Sequence, residues 1–200
     1  MAKRYYPAEL PTLLQPPPLL TEGHGRQPDA VCFTGHRLLS SAEKQMLCVR
    51  LDKLIEALWL RDYRTFICGG ALGFDTLVAQ RVLAAKKRHP ELRLVMALPC
   101  ADQSRRWSSE DCRVYERLLY AADETHVISP TYFDGCMQVR NRFMVDHASL
   151  CVCYLNKMKG GTVSTVAYAL REKCPVLNVA MEDACAAYLR EAVLTCSPPS

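Results

Sequence analysis

The chain has 200 residues, half of them hydrophobic and 23% charged, with a formal net charge of +4. That balance excludes a mostly disordered chain, and the length suits one domain that buries about two-thirds of its unfolded surface without a disulfide or metal staple. The mild positive charge is compatible with phosphorylated ligands but does not by itself mark a nucleic-acid protein.

Residues 1–28 read as a proline-rich extension. Pro7, Pro11, Pro16, Pro17, Pro18 and Pro28 break any helix, and the triple proline favours an extended arm. No apolar segment follows the basic start, so no secretory signal is expected. No uncharged run approaches the about 20 apolar residues of a membrane span. From residue 29 to 196 the pattern is that of a single domain. A strand over 30–34 is followed by a helix from Ser40, where Ser40 and Glu43 have capping-box spacing and Leu47, Leu51, Leu54, Ile55 and Leu58 form a stripe. A strand over 65–68 leads to a helix from Phe74 that ends before Pro90. A strand over 92–98 leads to a polar helix over 104–122, and a strand over 126–129 to a helix from about Asp134. A strand over 150–155 precedes a helix over 162–173 with Val163, Val166, Ala167 and Leu170 inward. A strand over 175–180 and a helix over 182–194 close the chain. Continuously apolar strands alternating with helices give an α/β class: a doubly wound, mostly parallel, Rossmann-like sheet with helices on both faces.

The eleven cysteines are an odd number without any Cys-x-x-Cys pair. Cys151 and Cys153, with His147 nearby, could be read as metal ligands. Their apolar run reads better as a buried strand that uses cysteine as a small hydrophobe. Neither metal nor cofactor is called for, and the expected compartment is the reducing cytoplasm.

In open parallel sheets, ligands bind beyond the carboxyl ends of the strands. Thr34, Gly35, His36 and Arg37 follow the first strand. Gly69, Gly70, Gly73 and Asp75 follow the second, Gln103 the third. Lys157, Lys159, Gly160, Gly161 and Thr162 follow the fifth. Each glycine pair precedes a helix, so backbone N–H groups and a helix N-terminus are offered to an anion. A bulky residue at Gly70 or Gly161 is expected to block that approach while leaving the sheet intact. Neither pair forms a Walker loop or a dinucleotide fingerprint. Asp75 suits ribose hydroxyls or the first turn of its helix, and His36 suits a phosphate contact. Asn141 lies on an inward stripe beside Arg140. Arg142 and Asp146 have the spacing of a surface ion pair. Trp107 suits packing first and base stacking second.

Val31 to Arg37, Cys68 to Thr76, Leu98 and Pro99 with Gln103 and Trp107, Arg140 and Asn141 through Asp146, and Gly160 to Thr162 together resemble the YpsA-like branch of the SLOG superfamily. That superfamily is named for the Smf/DprA DNA-processing proteins and the LOG phosphoribohydrolases. The resemblance spans roughly residues 30–180. It implies a Rossmann-like domain with a pocket for a nucleotide or a nucleotide-derived ligand such as an ADP-ribose relative, serving as a sensor or adaptor, and it names no reaction. LOG enzymes carry a catalytic glutamate in Gly-Gly-x-Gly-Thr-x-x-Glu. Here the stretch from Gly160 continues into Val166, Ala167 and Tyr168 without one, leaving Asp75 or Asp146 as the acids for an N-glycosidase or phosphoribohydrolase reading. The order Gly35, His36, Arg37, then Gly73 and Asp75, then Gly161 and Thr162, is also similar to DprA, which implies single-stranded DNA as a further, less favoured partner. An isologous homodimer is the default assembly.

Overall fold

The computed structural model describes residues 25–181. The expected arm over 1–24 and closing helix over 182–194 lie outside the described residues. Six strands form one wholly parallel sheet: β1 (Gln27–Gly35), β2 (Thr65–Cys68), β3 (Arg93–Leu98), β4 (Glu124–Val127), β5 (Ala148–Tyr154) and β6 (Val176–Asn178). Between them run α1 (Ser41–Leu60), α2 (Phe74–Lys86), α3 (Ser109–Ala121), α4 (Cys136–Asp146) and α5 (Gly161–Arg171). The strand order is β4-β3-β2-β1-β5-β6. The chain steps outward from β1 to β4, then returns through α4 to pair β5 on the other side of β1. Right-handed crossovers therefore place α1, α2 and α3 on one face and α4 and α5 on the other.

β1, β2, β3 and β5 read as apolar because both of their faces are covered. Val31 and Phe33 of β1 pack toward α1 and α2 with Leu47, Leu51, Phe66, Phe74 and Leu94. Ala30 and Cys32 face the other way, toward Met144 and Val145 of α4 and Ala169 of α5. The second core is lined by small residues, including Cys32, Cys151 and Cys174, so the cysteines serve as compact packing groups. Burial pushes the Cys153 thiol up to about 12 and the Cys174 thiol to about 11, which keeps them protonated.

Several boundaries differ from the sequence reading. β1 begins at Gln27, inside the expected extension. Pro28 is accommodated because the β1–β5 register shifts between Gln27 and Val31, where no ladder N–H is needed. α3 starts at Ser109, not at 104. Ser108 caps it by accepting from Asp111 N at 3.1 Å. β4 runs over 124–127 rather than 126–129.

α5 presents a different face from the one its apolar stripe suggests. Thr162, Thr165 and Ala169 are buried, Val163 and Val166 are half-buried, and Ala167 and Leu170 are exposed. Close packing on a sheet surface of alanine and cysteine selects small residues over larger ones. The Thr165 hydroxyl stays satisfied by donating to Gly161 O at 2.9 Å and accepting from Asn141 Nδ2 at 2.8 Å. No helix among the described residues is long and apolar enough to cross a membrane.

Candidate functional site

The order reverses between β1 and β5, so the loops leaving those strands diverge to opposite faces and open a crevice at their carboxyl ends. A cavity of about 270 Å³ occupies it. The end of β1 contributes Thr34 and Gly35, and the loop after it His36 and Arg37. Ala71 and Asp75 come from the loop after β2 and the first turn of α2. Met137, Arg140 and Asn141 come from α4, and Lys159, Gly160, Gly161 and Thr162 from the β5–α5 turn. Eleven of the residues singled out in the sequence therefore share this cavity's wall. Gly69, Gly70, Gly73 and Gln103 do not line it.

Those four support the wall from behind. A Cβ on Gly69 would collide with the Arg140 guanidinium and with Asp75 Oδ2, so this glycine makes room for protein groups rather than for a ligand. Gly73 has φ +80, and a Cβ there would strike the Arg37 carbonyl. Phe74 N donates to His36 O at 3.1 Å beside it. Gly35 lies under the Phe74 ring. Gly70 has φ +65 and is closely surrounded by Gln103, Leu98 and Met96, so a larger residue there strains the turn itself. This corrects the expectation that Gly70 can be enlarged with the sheet intact. Gln103 Nε2 donates to Gly70 O at 3.1 Å and to Tyr115 Oη at 2.9 Å.

The second glycine pair is different. Nothing lies within 4 Å of a Cβ built on Gly160 or Gly161. Gly160, at φ +86, is the N-cap of α5 and supplies no side-chain cap. The first-turn N–H groups of α5 thus meet the cavity without a side chain covering them. Their partial positive charge is reinforced by Lys159 on the wall.

Arg140 is 4% exposed. Its Nη1 donates to the carbonyls of Gly69 and Ala97, and its Nε to Asn141 Oδ1 at 2.8 Å. It ties the ends of β2 and β3 to α4 and brings positive charge to the floor. Asp75, also 4% exposed, sits beside it and accepts from Ala71 N at 3.4 Å. Burial pushes the Asp75 carboxyl up to about 6, against the opposing pull of Arg140. His36 Nε2 is buried with no hydrogen-bond partner. Burial, with Lys157 and Lys159 nearby, lowers that imidazole's pKa, so the ring is neutral at pH 7. Arg37 is exposed, and its Nη2 donates to Met137 Sδ at 3.7 Å.

The remaining candidates lie elsewhere. Trp107 packs edge-to-face on Tyr115, ring centroids 5.1 Å apart. Asp146 accepts from the Tyr168 hydroxyl at 2.8 Å and does not line the cleft. No Arg142–Asp146 ion pair forms, because Tyr168 takes the carboxylate and Arg142 stacks over its ring at 5.6 Å. His147 Nδ1 bonds its own helix at Phe143 O at 2.7 Å rather than turning toward Cys151 and Cys153. Ala71 and Met137 line the cleft and were not anticipated. Met137 projects from α4 in the turn before Arg140 and Asn141, a helical spacing that carries the signal.

Known proteins are similar to this chain in sequence or in fold. The SPbeta prophage-derived protein YoqJ of Bacillus subtilis is 34% identical over 134 residues, covering 60% of this chain and 78% of its own length. A UPF0398 protein of Bacillus licheniformis is 26% identical over 154 residues, covering 74% of this chain and 81% of its own. Among solved structures, DNA processing protein A (DprA) from Streptococcus pneumoniae superposes with a TM-score of 0.55 at 17% identity. That match covers 85% of this chain and 57% of the other, so the present chain spans little more than half of it. The Helicobacter pylori protein of the same name, whose structure describes a single-stranded DNA binding mode, gives 0.53 at 17% identity, covering 81% and 72%. At that identity the likeness concerns the fold. The family model described as the YspA SLOG family matches residues 33–181, three-quarters of the sequence, and the chain belongs to that family.

Proposed function

We propose that the cleft binds the phosphate of a nucleotide or nucleotide-derived ligand, such as an ADP-ribose relative, and that the protein acts as a sensor or adaptor for it. The observation that carries this reading is the turn at Gly160 and Gly161. It opens an uncapped helix N-terminus onto a cavity at the sheet's switch point, with free space above both glycines. Phosphate oxygens would accept from the first-turn N–H groups of α5. Arg37 and Lys159 would close over the anion, and the unpartnered His36 Nε2 would meet a ligand oxygen.

The test is calorimetric titration with ADP-ribose, ADP and AMP, and circular dichroism as the folding control. Arg37→Ala should weaken binding about tenfold, the lower end for a charged hydrogen bond because Arg37 is exposed. Gly161→Val should abolish binding with the helical signal unchanged. Two folded variants that bind like the wild type would return the turn to an ordinary strand–helix connection.

One observation favours a second reading, a nucleotide-directed hydrolase. Asp75 is a buried carboxyl at the cavity wall whose pKa, near 6, suits proton transfer at neutral pH. Chromatography of long incubations with AMP and ADP-ribose separates the two readings: released base that disappears in Asp75→Asn supports hydrolysis, while unchanged ligand supports binding alone.

A further inference from the structure

A second cavity, of about 290 Å³, lies in the groove between α4 and α5. Gln138, Asn141 and Arg142 line it from α4, and Ser164, Tyr168 and Arg171 from α5. Asn141 also lines the cleft, so the two cavities meet at this residue. Its side chain is fixed there, accepting from Arg140 Nε at 2.8 Å and donating to Thr165 Oγ1 at 2.8 Å.

The groove is cationic, and no carboxylate lines it. Arg142 and Arg171 both stand over the Tyr168 ring, at 5.6 and 4.8 Å, while Asp146 is occupied by the Tyr168 hydroxyl. Arg171 has an exposed pair with Glu172, which an incoming phosphate can displace. Guanidinium groups bind phosphate in a bidentate fork, whereas two of them around one tyrosine leave most of their donors to solvent. α5 runs from Gly161 at the cleft to Arg171 at the far end of the groove, about 15 Å at the rise of an α-helix. One phosphate cannot reach both ends.

We infer that the α4–α5 groove is a second phosphate subsite continuous with the cleft, and that the ligand is a dinucleotide-type molecule carrying phosphates on both sides of Asn141. The inference rests on the reading of the cleft as a phosphate site. The first phosphate sits at the Gly160–Gly161 turn and the second between Arg142 and Arg171.

The experiment titrates the full chain with AMP, with diadenylate phosphorylated at both its 5′ and 3′ ends (pApAp), whose terminal phosphates lie two backbone repeats apart, and with a single-stranded decamer, at several salt concentrations. Wild type is compared with Arg37→Ala, with the groove variant Arg142→Gln/Arg171→Gln, and with Arg113→Gln/Arg117→Gln, which removes the same charge from α3 on the opposite face. pApAp should bind about tenfold or more tighter than AMP. Its logarithmic salt slope should be steeper by about 0.7 per added phosphate contact. The groove variant should return pApAp to the affinity of AMP and leave AMP unchanged, and the α3 variant should change neither. If pApAp binds no tighter than AMP, or the groove variant weakens both alike, the second subsite is overturned and the cleft reading stands. If AMP fails to bind while pApAp binds independently of Arg37, the cleft reading falls and continuity falls with it. If neither binds, both fall. A decamer far tighter than pApAp would overturn the dinucleotide-sized limit in favour of a strand-length track.

Discussion

At the scale of single residues, Asp75 concentrates the cost of building this site. A carboxyl 4% exposed, with its ordinary pKa raised to about 6, binds a proton more readily in the folded protein than in the unfolded chain. Folded protein therefore holds more protons between pH 4 and pH 6, and this group's contribution to stability falls as pH rises through that window. The signature is a difference. The unfolding free energy of Asp75→Asn relative to wild type should rise by about 2 kcal/mol from pH 4 to pH 7 and then level off. Urea melts at half-unit pH steps measure it, and a flat difference would place Asp75 in a solvated environment. The residue was visible in the sequence; its burial was not. Asp75 reads equally as a first-turn acid, and only the fold places Arg140, 65 positions later, against the same glycine. The Arg142–Asp146 pair was misread for a similar reason, since spacing along one helix says nothing of a tyrosine on its neighbour.

Between elements, the two glycine turns look alike in sequence and differ in kind. The turn after β2 is filled by Arg140, Asp75 and the backbone of the β1 loop, so its glycines are packing requirements. The turn after β5 has nothing above it. Gly69→Ala should cost about 3 kcal/mol by driving a buried guanidinium off its carbonyls, while Gly161→Ala should stay within about 0.5 kcal/mol of wild type. Denaturant midpoints at constant slope decide this, and equal costs would remove the distinction. β1, β2, β3 and β5 were the most legible elements because burial on both faces writes them as apolar runs, and α1 because its capping box and leucine stripe agree; the edge strand β4, half-buried and exposed by turns, carries no such run and was misplaced by two residues. The facing of α5 was not legible. Periodicity ranks side chains by hydrophobicity, whereas its site on the alanine and cysteine surface ranks them by size.

For the whole molecule, the two cores share one sheet, with Phe33 turned to one face and Cys32 to the other. Such a molecule should unfold as a unit. Both tryptophans, Trp59 and Trp107, pack on the α1–α3 side. Met144→Ala, on the α4–α5 side, should cost about 2–5 kcal/mol and shift the tryptophan fluorescence midpoint as far as the circular dichroism midpoint. Separate midpoints would mean that the faces melt independently. The same topology has a temporal side. β1 is a central strand only once β5 exists, and β5 begins 80 residues after β2 ends, at Ala148 against Cys68. On a ribosome, that gap is on the order of ten seconds of elongation. Throughout it, a nascent sheet that starts from β1 and β2 and grows away from β1 toward β4 presents Ala30 to Phe33 as a bare apolar edge, the kind of surface that recruits stray strands or chaperones. The order of strands that opens a ligand crevice in the finished protein thus sets the longest interval of vulnerability in its synthesis.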